Sequence, residues 1–174
     1  LKGLRTSTRR GTHYELAVFA AKRLAKQNFM LKVKNESDYE MVVTTSLGSS
    51  RKLRPTLITQ KDTIPVEKIT TADVFGFKHH PDLTIGNDGT AIELKVIQSG
   101  HSIREAIGQA LCYRTHYRFA IMALMDLTKD RLVVNRCADK NSPAHKLLKS
   151  LCDECGIFTI VGPMAQRKNV AFIP

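Results

Sequence analysis

No apolar run in the 174-residue chain approaches the roughly 18 residues that a membrane-crossing helix requires, so a helical membrane protein is not expected. The opening LKGLRTSTRR lacks the apolar centre of a signal peptide, so no export address is read and a cytoplasmic location is expected. Its first residue is Leu, which leaves room for a longer chain upstream. Internal repeats, low-complexity tracts and linker-like stretches are missing, so residues 1–174 are expected to form a single domain. Cysteine is scarce: four in an intracellular-looking chain are more simply read as reduced than as two disulfides. The pair in CDEC, Cys152 and Cys155, has no second pair of ligands at zinc-site spacing and falls on the apolar stripe of a helix, which favours core packing.

Acidic residues are also short, with 16 against 27 basic ones and a net charge of +11. In the first 34 residues only Glu15 opposes Lys2, Arg5, Arg9, Arg10, Lys22, Arg23, Lys26, Lys32 and Lys34. A polyanionic partner is the natural inference, with the basic end near phosphates; a solvated basic helix that keeps the protein soluble is the plain alternative. No basic helix shows the broad aromatic face that membrane binding prefers, so an anionic membrane surface is the weaker candidate.

With 43% apolar and 25% charged residues, the chain has ample material for one hydrophobic core. A first helix is expected near residues 12–27, with Leu16, Phe19, Ala20 and Leu24 as its buried stripe and Thr12 and Glu15 at capping-box spacing. YEMVVTTS and RPTLITQ read as strands around the polar loop LGSSRK, a candidate basic hairpin, and TIPVEKI is ambiguous. A helix is expected from Ser102, with Glu105 completing a second capping box and Ile103, Ala106, Ile107, Ala110 and Leu111 on its apolar face. FAIMALMD reads as a buried strand and RLVVNRC as another; Ser142 and Pro143 open a helix that Gly156 ends, and IFTIV and NVAFI follow as strands. The order predicts an α/β sandwich, a mixed β-sheet flanked by α-helices.

The chemistry concentrates in HHPDLTIGNDGTAIELKV, residues 79–96. Side chains alternate along a strand, so Glu93 and Lys95 share one face while Ile92, Leu94 and Val96 share the other. If Asp88-Gly89 is a two-residue turn, Asp82 lies opposite Lys95 and diagonal to Glu93; any loop of even length keeps all three on one side. Two carboxylates about 4 Å apart repel by roughly 4 kcal/mol at an effective dielectric near 20. Lys95 offsets part of that and a divalent cation more, and hard oxygen ligands favour Mg²⁺, with Mn²⁺ as substitute. Such a cation leaves coordination positions open for a phosphate oxygen, which suits phosphodiester hydrolysis, with Lys95 beside the attacking water. The competing reading is an amphipathic hairpin whose charged face meets water.

HPDLTI followed by AIELKV resembles the bipartite PD-(D/E)xK signature of restriction-endonuclease-like nucleases, with Pro81-Asp82 as one half and Glu93-Leu94-Lys95 as the other. In the next helix GQALCYR resembles the Q-x₃-Y motif of the RecB-type branch through Gln109 and Tyr113, and GTHYELAVF resembles the family's early acidic helix through Glu15. The resemblance spans residues 11–126 in the order helix, strand hairpin, helix, strand. It implies a restriction-endonuclease-like sandwich in which Asp82, Glu93 and the carbonyl of Leu94 bind Mg²⁺ and Lys95 serves the nucleophilic water. It also implies that Glu15 supports the metal and that Gln109 and Tyr113 flank the site, touching substrate or holding the catalytic strand. Each has a plain competitor: Glu15 as a capping residue, Tyr113 as packing, Gln109 as a solvated side chain. Lys78, His79 and His80 are read as surface residues ahead of phosphate contacts, His101 and His116 as without a role, and Asp88 as turn chemistry.

The expected function is therefore a Mg²⁺-dependent nuclease, acting on DNA in preference to RNA. The alternatives are a nucleic-acid-binding domain that does not cut, and a basic assembly module that docks an acidic protein in a larger complex. Cleavage of two strands would suit a homodimer.

Overall fold

The computed structural model describes residues 3–5, 7–27, 35–59, 71–162 and 169–174. Lys2, Lys32, Lys34 and the TIPVEKI stretch lie outside them. Six strands form one mixed sheet in the order β1, β4, β5, β6, β7, β8: Leu57–Thr59, Leu83–Ile85, Thr90–Ile97, Phe119–Asp126, Ile157–Gly162 and Val170–Phe172. The central pairs β5–β6 and β6–β7 are parallel, and the outer pairs are antiparallel. A separate hairpin joins β2 (Ala72–Val74) to β3 (Phe77–His79). Helices α1 (Thr12–Ala25), α2 (Glu36–Gly48), α3 (Gly100–Tyr113), α4 (Leu132–Ala138) and α5 (Pro143–Cys155) flank the sheet. The architecture is the expected α/β one.

Strand β6 is FAIMALMD, buried along its whole length. An apolar run without polar alternation is what a strand covered on both faces requires. Its neighbour β5 is buried up to Leu94 and then opens at Lys95 and Val96. Helix α3 makes the crossover between these parallel strands and packs on both. Ala106 and Ala110 are fully buried, with Ile103, Ile107 and Leu111 packed at the edge of the same core. Helix α5 runs as expected from its Ser142 cap, which accepts the His145 N–H at 3.0 Å, to Gly156 at φ 65°. Cys152 and Cys155 are buried free thiols in the main core, and Leu147 of the same helix stands half exposed.

Two expected strands are helices. YEMVVTTS lies in α2: the Asn35 side chain accepts from the Asp38 N–H at 2.9 Å, and Tyr39, Val43 and Leu47 are buried at a spacing of four. Its β-branched run favours a strand locally, but burial at helical period prevails. RLVVNRC forms α4 for a similar reason. Asp126 at the end of β6 accepts from the Val134 N–H at 2.9 Å and Thr128 accepts from Leu132 N–H at 3.0 Å, satisfying donors that a helix start leaves open.

Both expected capping boxes are absent as such. Helix α1 starts from Gly11 and α3 from Ser99, neither with a side-chain cap bond, and the buried stripe of α1 is Ala17, Ala20, Ala21 and Leu24, with Leu16 and Phe19 half-buried. LGSSRK is not a hairpin: it ends α2 and turns into the short β1. Several N-terminal cations tie the chain to itself. Arg5 donates to Asp88 at 2.6 Å and to the His116 carbonyl at 2.8 Å, Arg9 to the Asp153 carbonyl at 2.7 Å, and Arg23 to the Ser46 carbonyl at 2.8 Å.

Candidate active site

The β4–β5 register pairs Leu83 with Ile92 and Ile85 with Thr90, so the connection is residues 86–89 and not a two-residue turn. Gly86 takes φ 70°, and at Gly89 an added Cβ would lie 2.5 Å from the Ile85 carbonyl oxygen, so a side chain cannot be accommodated there. Asp88 in this turn is gripped by Arg5 at 2.6 Å and Arg118 at 3.5 Å. Slight burial opposes ionisation of Asp88, but the two guanidinium groups hold its carboxyl below the usual range. The even loop keeps Asp82, Glu93 and Lys95 on one face, while the shift of register sets Asp82 across from Glu93 instead of Lys95. The partner expected to lie diagonally is therefore directly adjacent.

Each carboxylate is held by one specific donor. The Leu94 N–H donates to Asp82 Oδ2 at 2.7 Å, so the Asp82 side chain closes the strand pair just past Leu83. The Tyr113 hydroxyl, at the end of α3, lies 2.8 Å from Glu93 Oε2 and 3.0 Å from the His80 carbonyl oxygen. Its single proton serves one of these acceptors at a time. Tyr113 thereby connects α3, β5 and the segment entering Asp82.

Burial pushes the Asp82 carboxyl up to about 6, with Glu40 and Glu36 adding to the effect and the Leu94 N–H and Lys95 opposing it. Burial pushes Glu93 further, to about 8, and the charge of Asp82 adds to it, against the Tyr113 bond and Lys95. The pair thus repels itself in a poorly hydrated place. Lys95 lies 3.4 Å from both Glu36 of α2 and Glu105 of α3. Burial alone would lower its pKa, but Glu36, Glu105 and Glu93 together raise it, so Lys95 stays cationic at neutral pH.

Asp82, Glu93, Lys95 and Tyr113 are brought together. Gln109 is half-buried on α3, and its Oε1 has no hydrogen-bond partner among the described residues. Glu15 stands exposed in the first turn of α1 and is not among the largest influences on Asp82 or Glu93. Glu36 and Glu40, one turn apart on α2, raise the Asp82 pKa; from Tyr39 onward this helix occupies residues whose local pattern is that of a strand. The signal for them was Asn35-x-x-Asp38 ahead of apolar residues at 39, 43 and 47, the mark of a capped helix. Beside Glu40 a groove of about 260 Å³, lined by Met41, Thr44, Thr45 and Thr59 among others, opens between α2 and β1.

Two mutually repelling carboxylates beside the Leu94 backbone make a hard-oxygen donor set of the kind that suits Mg²⁺ or Mn²⁺ and disfavours softer metals. Among the described residues no group of three or more His, Cys, Asp or Glu comes together as a metal-binding cluster. No described helix is long and apolar enough to cross a membrane. No family model matches the chain, and neither a curated protein nor a solved structure matches it.

Proposed function

We propose that this chain is a divalent-metal-dependent nuclease of restriction-endonuclease-like architecture that hydrolyses phosphodiester bonds, DNA in preference to RNA. One observation carries the reading: Asp82, half-buried, lies across from the buried Glu93 and its charge opposes ionisation of Glu93, with the Lys95 ammonium on the same face. The succession of an acidic helix, a strand hairpin, α3 and β6 supports the resemblance to PD-(D/E)xK nucleases, with α2 in the place expected of α1. The net charge of +11 suits a polyanionic substrate. The reading also puts the protein inside the cell, with that substrate.

Asp82 and Glu93, with the Leu94 carbonyl, would hold Mg²⁺ or Mn²⁺. When bound, the cation polarises a phosphate and acidifies its water. The chain's own residues supply the rest. The Leu94 N–H fixes Asp82 and the Tyr113 hydroxyl fixes Glu93, so neither carboxylate needs to reorganise. Lys95, held cationic by its glutamates, offsets negative charge developing on the phosphate and orients the attacking water, and is poorly suited to remove a proton itself.

The test is cleavage of duplex, single-stranded, branched and RNA oligonucleotides with and without Mg²⁺. Asp82→Asn and Lys95→Ala are expected to lower the rate by about a hundredfold or more while nucleic-acid binding survives. Wild-type protein no more active than both variants on every substrate would overturn the assignment. A second reading, nucleic-acid binding without cleavage, is favoured by the lack of a third clustered ligand among the described residues. Binding without metal-dependent turnover is its signature.

A further inference from the structure

The β2–β3 hairpin is built against local preference. Val74 pairs with Phe77, leaving Phe75 and Gly76 as a two-residue turn with φ 56° and 77°. Positive φ at both turn positions is the type I′ arrangement, for which Asn-Gly or Gly-Gly is favoured and a bulky residue is an outlier. Phe75 not only adopts it but stands 91% exposed, and Phe77, directly after the turn, is 70% exposed. Two apolar rings in water, one on a strained backbone, oppose stability in isolation, and such outliers cluster at functional sites.

The base of this hairpin is firm. Ala72 is fully buried with Ala91, Tyr113 and Tyr117, the cluster that also seats the Tyr113 hydroxyl beside Glu93. The strand leaving the turn runs through Lys78, His79 and His80 into Pro81 and Asp82, and the His80 carbonyl oxygen lies 3.0 Å from the Tyr113 hydroxyl. Asp82 lies five positions after Phe77, a reach of about 17 Å at most, or about five nucleotides of a stacked strand. The hairpin's one acid, Asp73, faces Lys78 across the ladder, so the tip carries no unbalanced negative charge.

We infer that the Phe75–Phe77 hairpin is a base-stacking platform that engages unpaired bases of the substrate next to the acidic pair. The inference rests on the nuclease reading and narrows its substrate to nucleic acid with a single-stranded portion near the scissile phosphate. Exposed aromatic faces stack on any base, whereas the bases of an intact duplex already stack on each other. The neighbouring Lys78, His79 and His80 supply cationic or hydrogen-bonding contacts for the backbone between the stacked base and the site.

The variants that test this are Phe75→Asn and Phe77→Thr. Asn suits a type I′ turn and Thr suits a strand, so both remove a ring without breaking the hairpin. Melting temperature is expected to be unchanged or raised for Phe75→Asn. Binding is read from a single-stranded oligonucleotide carrying 2-aminopurine, and from the same sequence as a duplex, in EDTA at near-physiological salt. The double variant is expected to lose about tenfold or more in affinity for the single strand, to lose the change in 2-aminopurine fluorescence, and to keep duplex binding within about twofold. Wild-type affinity of the double variant for the single strand would overturn the platform and leave the nuclease reading intact. So would conversion of a wild-type dimer to monomer in sedimentation without loss of binding, which would assign the rings to contact between two copies. Failure of the wild-type protein to bind either oligonucleotide would remove both the platform and the reading beneath it.

Discussion

Buried acids serve two different ends in adjacent parts of the sheet. Asp126, at the end of β6, is fully buried and accepts from the Thr128 N–H at 2.8 Å, the Thr128 hydroxyl at 2.6 Å and the Val134 N–H at 2.9 Å. Every one of those donors belongs to the turn and helix that follow it. One strand pair away, Glu93 has the Tyr113 hydroxyl on one oxygen and another carboxylate, Asp82, as its neighbour. A buried carboxylate surrounded by donors organises the backbone, whereas a buried carboxylate set against a half-buried one is unfavourable until something positive is shared between them. Burial by itself does not separate the two cases; the partners do.

Breaking each acid in turn should produce opposite effects. Largest is the expected loss of metal-dependent cleavage in Asp82→Asn or Lys95→Ala, about a hundredfold or more, with a melting temperature at or above the wild-type value for Asp82→Asn in EDTA. Next is Asp126→Ala, which strands three donors and should cost roughly 2–4 kcal/mol in urea denaturation, while the remaining folded fraction keeps its cleavage rate.

The acidic pair also responds to pH. Between the ordinary carboxylate values of 3.8 and 4.5 and the raised values of about 6 and about 8, the folded protein holds protons that the unfolded chain has released. Stability of the metal-free protein should therefore be full below about pH 4 and fall as pH rises towards about 8. Melting curves of Glu93→Gln should show a flatter decline, and a wild-type profile that rises over this window would contradict the pairing. Smallest is Tyr113→Phe, expected to cost about 1 kcal/mol by denaturation and to reduce cleavage less than Lys95→Ala does.

The central hairpin was legible because strand alternation is a strict period of two: once Asp82, Glu93 and Lys95 have the right parity, any even loop brings them to one face. The register itself was not, since Asp88-Gly89 is a good two-residue turn by composition. In the four-residue connection Asp88 is gripped by Arg5 and Arg118, contacts distant in sequence that local turn composition does not reveal. FAIMALMD and the Ser142–Gly156 helix were legible for the same reason as the hairpin, an unambiguous period with clear ends. The acidic side of the site was hidden in α2, where Val42, Val43, Thr44 and Thr45 favour a strand locally while Tyr39, Val43 and Leu47 bury at helical spacing. Glu105 sits at capping-box spacing from Ser102, but it pairs with Lys95 instead, because α3 begins earlier, at Gly100.

Titration calorimetry with Mn²⁺ and Mg²⁺ at pH 8 tests the shared-ion account most directly. Wild-type protein is predicted to bind the cation, with affinity weakening as pH falls towards 6 and protons compete for the pair, and with binding lost in both Asp82→Asn and Glu93→Gln. Wild-type protein that takes up neither ion, or variants that bind as the wild type does, would contradict it.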